Sequence, residues 1–264
     1  MDHSFCKKLS QNIKTRSCYV CLGLDPDLSK IPDHYSQTLT GLTDFLLDTI
    51  KATKDLVIAY KPNLSFFEAM GIEGLRIVEK VRSAIPEQVP MILDAKRGDI
   101  GNTSAMQARY IFDYFGADAI TLHPYMGRDS LAPFFNYKDK YHFILALTSN
   151  PSAMDFQKAE LSSGGYVYEK VINTACKWRE EFHNIGFVIG ATQKELSYIR
   201  KKDSESLFLI PGVGAQGGSY SDAHTYGRNK DGLVLINMSR SLLYCSKDTD
   251  YLDLIRTKII EYKH

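Results

Sequence analysis

The chain has 264 residues, of which 44% are hydrophobic and 24% are charged, and its formal net charge is +1. A chain of this length and balance can bury the core of a globular protein. No linker, charge block or low-complexity tract divides it, so we predict one domain over residues 1–264. The near-neutral charge gives no global basis for binding nucleic acid or an anionic membrane. No apolar run reaches the ~18 residues that would predict a membrane span.

The amino-terminal segment and the cysteines indicate a reducing compartment. Residues 1–16 are polar and charged and lack the apolar core of a signal peptide. The five cysteines form no disulfide framework. Cys18 and Cys21 form a C-x-x-C in an apolar run that reads as a strand, where positions three apart face opposite sides. We therefore interpret them as small buried residues, predict no metal site, and expect a cytoplasmic protein.

Short apolar runs alternate along the chain with segments of helical periodicity. The runs read as buried parallel strands, and they are predicted at 19–25, 57–62, 90–95, 119–123, 142–148, 186–190, 207–211 and 232–237. The helical period predicts helices at 39–53, 72–84, 103–115, 128–137, 166–183, 193–202 and 250–262. Eight strands alternating with helices indicate an α/β fold of the (β/α)8 TIM barrel type, and a doubly wound open sheet is the alternative.

In such barrels the active site lies at the carboxyl ends of the strands. The third predicted strand ends in the run 94–99, D-A-K-R-G-D. Asp94 and Lys96 are two residues apart, so both side chains point to the same face and enter the barrel mouth, and Asp99 follows a turn at Gly98. Such charges are costly to desolvate and are typical of functional sites. On the residues alone, a surface salt-bridge network is the equal alternative.

A glycine-rich segment follows the seventh predicted strand. Residues 212–217 read G-V-G-A-Q-G, but they come late in the chain, and residues 218–221 do not look like the helix opening that a dinucleotide site requires. We interpret the segment as a phosphate loop, because Arg240 follows the next strand and can bind an anion with two hydrogen bonds. A simple glycine-rich turn is the alternative. The loop 214–230 is our candidate lid.

Together these segments resemble the orotidine 5′-monophosphate decarboxylase family. The matching segments occur in the family's order and are L-D-P-D at 24–27, Y-K-P-N at 60–63, D-A-K-R-G-D-I-G-N-T at 94–103, T-S-N-P at 148–151, P-G-V-G-A-Q-G-G at 211–218, and Ser239-Arg240. The run at 94–103 is similar to the form found in one bacterial and protozoan branch of the family.

The resemblance implies decarboxylation of orotidine 5′-monophosphate to uridine 5′-monophosphate in de novo pyrimidine biosynthesis, with no metal and no cofactor. It makes Lys61, Asp94, Lys96 and Asp99 a catalytic array of alternating charge. Lys96 would donate a proton to C6 of the pyrimidine, and Asp94 would lie near the substrate carboxylate. A fixed ammonium beside C6 suits this chemistry, because it stabilises the developing negative charge and then supplies the proton.

The resemblance also implies the substrate-binding residues and a homodimer. Asp25 and Lys61 would hold the ribose hydroxyls and Ser149 the pyrimidine. Asp99, Ile100 and Thr103 would reach across the interface into the partner's site. Gln216 and Arg240 would bind the 5′-phosphate, and Pro211 would also belong to the substrate-binding residues. Two features have no family explanation here: Ser239 stands where some members carry glycine, and the run 123–125, H-P-Y, has no assigned role.

The sequence is also compatible with two other functions. A sugar-phosphate decarboxylase or aldolase of the same superfamily shares D-x-K-x-x-D but uses magnesium, so activity in excess chelator discriminates against it. A catalytically silent nucleotide-binding protein on the same scaffold is the second, although all four charged positions of the array are present.

Overall fold

The computed structural model describes residues 3–190, 192–213 and 219–264, with Gln193 described by its backbone alone. Its eight strands are parallel and lie in the order β2-β1-β8-β7-β6-β5-β4-β3. Bridges from Tyr60 to Met91 and from Asn63 to Asp94 join the two ends of this order, so the sheet closes into the predicted TIM barrel. The strands are β1 (Val20–Leu24), β2 (Ala59–Pro62), β3 (Ile92–Arg97), β4 (Ala119–Leu122), β5 (Tyr141–Leu147), β6 (Ile185–Ile189), β7 (Phe208–Ile210) and β8 (Leu235–Met238).

Helices connect the strands and cover the outside of the barrel. They are α1 (Ser4–Arg16), α2 (Leu39–Thr53), α3 (Leu64–Glu68), α4 (Gly71–Ala84), α5 (Gly101–Arg109), α6 (Arg128–Phe135), α7 (Val167–Phe182), α8 (Gln193–Lys202), α9 (Tyr220–Gly227), α10 (Arg240–Leu243) and α11 (Tyr251–Ile260). A π-helical turn over Tyr110–Tyr114 extends α5. None of the described helices is long and apolar enough to cross a membrane.

The interior of the barrel is packed, and one helix covers its amino-terminal end. Phe5 of α1 stacks on Tyr141 at the start of β5, with ring centroids 5.1 Å apart. The amide of Asn12, also on α1, donates hydrogen bonds to the carbonyls of Ile58 (3.2 Å) and Gln88 (2.9 Å). Buried side chains of α1 thus join those of the barrel interior, and polar residues gather at the opposite, carboxyl end of the strands.

The side chains on the two faces of the sheet form separate clusters, one inside the barrel and one beneath the helices. Cys18 belongs to the outer cluster and Cys21 to the inner one. The prediction that these two cysteines face opposite sides is therefore confirmed.

A helix that the sequence did not predict follows the glycine-rich segment. α9 begins at Tyr220, and the Ser219 hydroxyl caps it by accepting a hydrogen bond from the amide of Asp222 (3.2 Å). Much of the candidate lid 214–230 is therefore helical, and its residues 214–218 lie outside the described residues. Gln216 is among them.

Candidate active site

The bulge in β3 determines how the charged residues enter the barrel mouth. β3 stays in register with β4 as far as Leu93 and pairs again only at Arg97. Residues 94–96 therefore lie opposite a single residue of β4, Thr121. Lys96 has a φ of 46°, a left-handed backbone that residues other than glycine rarely adopt. Bulges of this kind re-aim side chains next to active sites.

The Asp94 carboxylate is bound on both of its oxygens. Lys61, at the end of β2, donates from Nζ to Oδ2 at 2.6 Å. Lys96 donates from Nζ to Oδ1 at 2.7 Å, and the Thr121 hydroxyl donates to the same oxygen at 2.8 Å. The Lys61 side chain is only 5% exposed, whereas that of Lys96 is 42% exposed. The predicted convergence of Asp94 and Lys96 is confirmed, and Lys96 is the member of this group that faces the open mouth.

Burial and charge act in opposite directions on these groups. Burial alone would raise the pKa of Asp94, but the ammonium groups of Lys61 and Lys96 outweigh it and hold that pKa well below its usual range. Burial alone would lower the pKa of Lys61, but the carboxylates of Asp94 and Asp25 outweigh it and raise that pKa. Asp94 and Lys61 are therefore both ionised at neutral pH.

Asp25 is held at the end of β1 by a residue from the end of β8. The Ser239 hydroxyl donates to Asp25 Oδ2 at 2.6 Å, and the Tyr244 hydroxyl donates to the Asp25 carbonyl at 2.6 Å. Asp25 Oδ1 is buried and accepts no hydrogen bond within the described chain. A Cβ on Gly23 would lie 2.6 Å from Ser239 Cβ, so glycine at position 23 allows this approach. Ser239 thus orients Asp25.

Asp99 does not join the other charged residues within one chain. Its Oδ1 accepts a hydrogen bond from the amide of Ile100 at 2.7 Å, and it forms no ion pair with any described residue. The Ile100 side chain is exposed, at 67%. Thr103 is exposed in the first turn of α5. The structure thus brings together three members of the predicted array, Lys61, Asp94 and Lys96, and directs the segment from Asp99 to Thr103 outward.

The remaining predicted site residues follow other strands of the barrel. Ser149 is exposed just after β5, and its amide would lie 3.1 Å from a Cβ on Gly190, which follows β6. Pro211 is half-buried after β7. Arg240 is exposed at the start of α10, two residues after the end of β8. These three residues lie at the carboxyl ends of their strands, as predicted, whereas Gln216 is outside the described residues.

Sequence reasoning missed Thr121 and left His123, at the same end of β4, without a role. Thr121 donates to Asp94. The amide of His123 donates to the Arg97 carbonyl at 2.9 Å, and partial burial and the charge of Lys96 lower the pKa of its ring. Ala119, Thr121 and His123 are spaced two residues apart, and Ala119 faces the barrel interior. This alternation would have predicted that the side chains of Thr121 and His123 lie on the same face as Ala119.

This arrangement can stabilise negative charge and supply a proton. Lys96 presents an ammonium group to the mouth, and the ionised Asp94 carboxylate holds it in place. A fixed positive charge of this kind stabilises electron density that develops beside it, at a site where water is partly excluded. The described part of the array is thus suited to chemistry that passes through an anion.

Comparison with known proteins supports the family resemblance seen in the sequence. Residues 19–249 match the family model described as the orotidine 5′-phosphate decarboxylase / HUMPS family. A protein of Flavobacterium johnsoniae named orotidine 5′-phosphate decarboxylase is 42% identical over 259 residues, which cover 97% of this chain and 94% of that protein.

Solved structures agree with the sequence comparison. The Leishmania donovani OMP decarboxylase superposes with a TM-score of 0.84 at 33% identity, and the match covers 98% of each chain. The Leishmania donovani UMP synthase superposes with a TM-score of 0.86 at 36% identity, covering 98% of this chain and 56% of that longer protein. From the barrel, its charged mouth and these matches we conclude that the chain belongs to the orotidine 5′-phosphate decarboxylase / HUMPS family.

Proposed function

We propose that the chain decarboxylates orotidine 5′-monophosphate to uridine 5′-monophosphate in pyrimidine biosynthesis, with no metal ion and no organic cofactor. One observation carries the proposal: the Asp94 carboxylate is held between Lys61 and Lys96 in the mouth of the barrel. Membership of the family supports the same substrate.

In the proposed reaction the bond between C6 and the substrate carboxylate breaks, carbon dioxide leaves, and the electron pair stays on C6. The Lys96 ammonium stabilises that pair and then gives C6 a proton, and water returns a proton to the amine. The partial exposure of Lys96 supports this role, because its Nζ is bound by Asp94 yet faces the mouth.

We assign Asp94 two effects. It raises the pKa of Lys61 and holds the Lys96 ammonium in place, and it would lie close to the substrate carboxylate. Its low pKa supports an ionised carboxylate at neutral pH, so a substrate carboxylate placed beside it would be repelled and its loss favoured. The hydrogen bond from Thr121 and the two lysines hold it in place against that repulsion.

We propose that the other residues of the mouth bind the rest of the nucleotide. Asp25 and Lys61 would hold the ribose hydroxyls, and the buried Oδ1 of Asp25 is an acceptor suited to a hydroxyl group. Ser149 would contact the pyrimidine. Pro211 would contact the nucleotide after β7. Gln216 and Arg240 would bind the 5′-phosphate, whose binding energy can position the ring although it is remote from C6.

We further propose a homodimer in which Asp99, Ile100 and Thr103 complete the partner's site. Two observations support it. Asp99 has no ion pair within the described part of its own chain, and large apolar side chains nearby are exposed, namely Ile100, Met106, Tyr125 and Met126. Such side chains on one rim are typical of a protein interface.

A cytoplasmic location remains a prediction. All five cysteines are free thiols, and unpaired thiols are typical of proteins in a reducing compartment. Fractionation of cells that express the chain tests this location.

The direct test is to add orotidine 5′-monophosphate to the purified protein in excess chelator and follow the loss of substrate absorbance. We expect full activity, equal to that without chelator. Activity that needs added magnesium would favour the sugar-phosphate class of the superfamily. A flat trace together with tight binding of uridine 5′-monophosphate would favour a silent nucleotide-binding protein.

A further inference from the structure

The hydroxyl of Thr121 lies at the centre of the charged array and has all of its hydrogen-bonding capacity in use. Thr121 is on β4, directly opposite the bulge in β3, and is 1% exposed. Its Oγ1 donates to Asp94 Oδ1 at 2.8 Å. The same oxygen accepts hydrogen bonds from the backbone amides of Ala95 and Lys96, each at 3.1 Å.

These contacts fix the direction of every hydrogen bond involved. A hydroxyl has one hydrogen to donate and two lone pairs to accept with. The two amides occupy the lone pairs, so the hydrogen must point to Asp94. The oxygen that receives it, Oδ1, is also the one that binds Lys96 Nζ at 2.7 Å. Thr121 therefore orients the carboxylate oxygen that holds the proposed proton donor.

The same hydroxyl holds the backbone that carries Lys96. Within the bulge, residues 94–96 lie out of register with β4. The amides of Ala95 and Lys96 are instead satisfied by the Thr121 side chain. Lys96 has a φ of 46°, a strained conformation for a residue with a Cβ, which persists only where its surroundings determine it. The two hydrogen bonds that these amides donate to the buried Thr121 oxygen hold the backbone in that conformation.

We propose that Thr121 is a positioning residue for the reaction. Its hydroxyl locks the bulge in β3 so that the Lys96 ammonium and the Asp94 carboxylate keep one relative geometry at the reacting carbon. The inference rests on the proposed function for its substrate. It adds a residue that touches neither the nucleotide nor C6 and acts through Asp94 and Lys96.

The test replaces Thr121 with valine and, separately, with serine. Thr121→Val keeps the branched shape that a strand favours and removes the hydroxyl. We expect kcat to fall by about 10- to 100-fold, the loss that a small misplacement of reacting groups produces, with KM and binding of uridine 5′-monophosphate changed less than about threefold. Thr121→Ser keeps the hydroxyl, and we expect it to retain kcat within about threefold of the parent.

Thr49→Val is the matched control. Thr49 is a buried threonine on α2 whose hydroxyl donates to the Phe45 carbonyl at 2.7 Å, away from the array. Its loss should lower stability and leave kcat unchanged. If Thr121→Val does not fold, as judged by a circular dichroism melt, Thr121→Ala and Thr121→Ser give the same comparison, because both lack the methyl group and only serine keeps the hydroxyl.

Two results would overturn the inference: a kcat for Thr121→Val within about twofold of the parent, or a loss in Thr121→Ser as large as in Thr121→Val. Either result, with an active parent protein, leaves the proposed function standing. A parent protein that does not decarboxylate orotidine 5′-monophosphate would instead refute the proposed function itself.

Discussion

Asp94 is the residue on which the other charges of the site depend. Each of its oxygens faces an ammonium group, and the side chain is 12% exposed. Lys61 is almost fully buried and would be a costly charge without that partner. Asp94 thus has a structural effect on Lys61 and a positioning effect on Lys96, and the two can be separated by experiment.

At this scale we predict that Lys96→Ala abolishes turnover and keeps detectable nucleotide binding. The variant loses both the proton donor and the fixed charge, effects that together are worth about a 10⁴-fold fall in kcat or more. The measurement is kcat with orotidine 5′-monophosphate and the dissociation constant for uridine 5′-monophosphate. Lys51→Ala, at an exposed lysine on α2, is the control and should behave as the parent. Substantial decarboxylation by Lys96→Ala would refute the proton-donor assignment.

We also predict that Asp94→Asn lowers the free energy of unfolding by about 3 kcal/mol at neutral pH, because it leaves Lys61 buried without its counter-charge. The folded state holds the pKa of Asp94 below its ordinary value of 3.8. The parent's advantage is therefore complete above that value and is lost as the pH falls through the lower, folded-state pKa.

Urea unfolding from pH 8 to pH 3 checks this prediction. The difference between parent and variant should be constant from pH 8 to about pH 5 and should shrink below about pH 4. Asp139→Asn is the control, since the exposed Asp139 side chain pairs with its sequence neighbour Lys140 at 3.5 Å, and it should change stability by less than about 0.5 kcal/mol. A difference that grows toward acid pH would contradict the assigned sign.

At the scale of elements, the sequence was informative wherever one physical pattern dominated. The apolar runs of buried parallel strands predicted all eight strands to within three residues at each end. Alternation placed Asp94 beside Lys96. The helix α1 was not predicted, because its buried positions, among them Phe5 and Leu9, are few within a polar segment. The bulge in β3 could not be predicted either, since a lysine with positive φ is determined by its tertiary contacts and by no local propensity.

The close approach of β1 and β8 gives a prediction at this scale. A Cβ at position 23 would lie 2.6 Å from Ser239 Cβ, so Gly23→Ala should lower the free energy of unfolding by about 1–3 kcal/mol through overpacking. Ser239→Gly removes the clashing atom, and the double variant should recover a large part of that loss. A urea unfolding cycle of the four proteins measures the coupling. Additive effects of the two substitutions would contradict a direct clash.

At the scale of the whole molecule, the first and the last of the described helices pack on the rest of the barrel. Helix α1 covers the amino-terminal end of the interior. Helix α11 packs on α2, where the ring of Tyr251 lies 5.2 Å from that of Phe45 and its hydroxyl is 3.0 Å from that of Thr49. These contacts support our proposal that residues 1–264 form one domain. Asp99 lies apart from the array of its own chain, and in our proposal a second chain completes the rim around the mouth.

The proposed shared sites make a quantitative prediction for mixed dimers. Lys96→Ala disables the site of its own chain, whereas Asp99→Ala disables the site of its partner, so each variant alone should be inactive. In a mixed dimer one site carries both defects and the other carries neither. After subunit exchange at equal concentrations, about a quarter of all sites should be intact, and about a quarter of the parent activity should return. Mixing Lys96→Ala with Asp94→Asn is the control and should recover nothing, because each substitution disables the site of its own chain and both sites of a mixed dimer then carry a defect. If the first mixture stays inactive although mass measurement shows that mixed dimers have formed, Asp99 does not serve the partner's site.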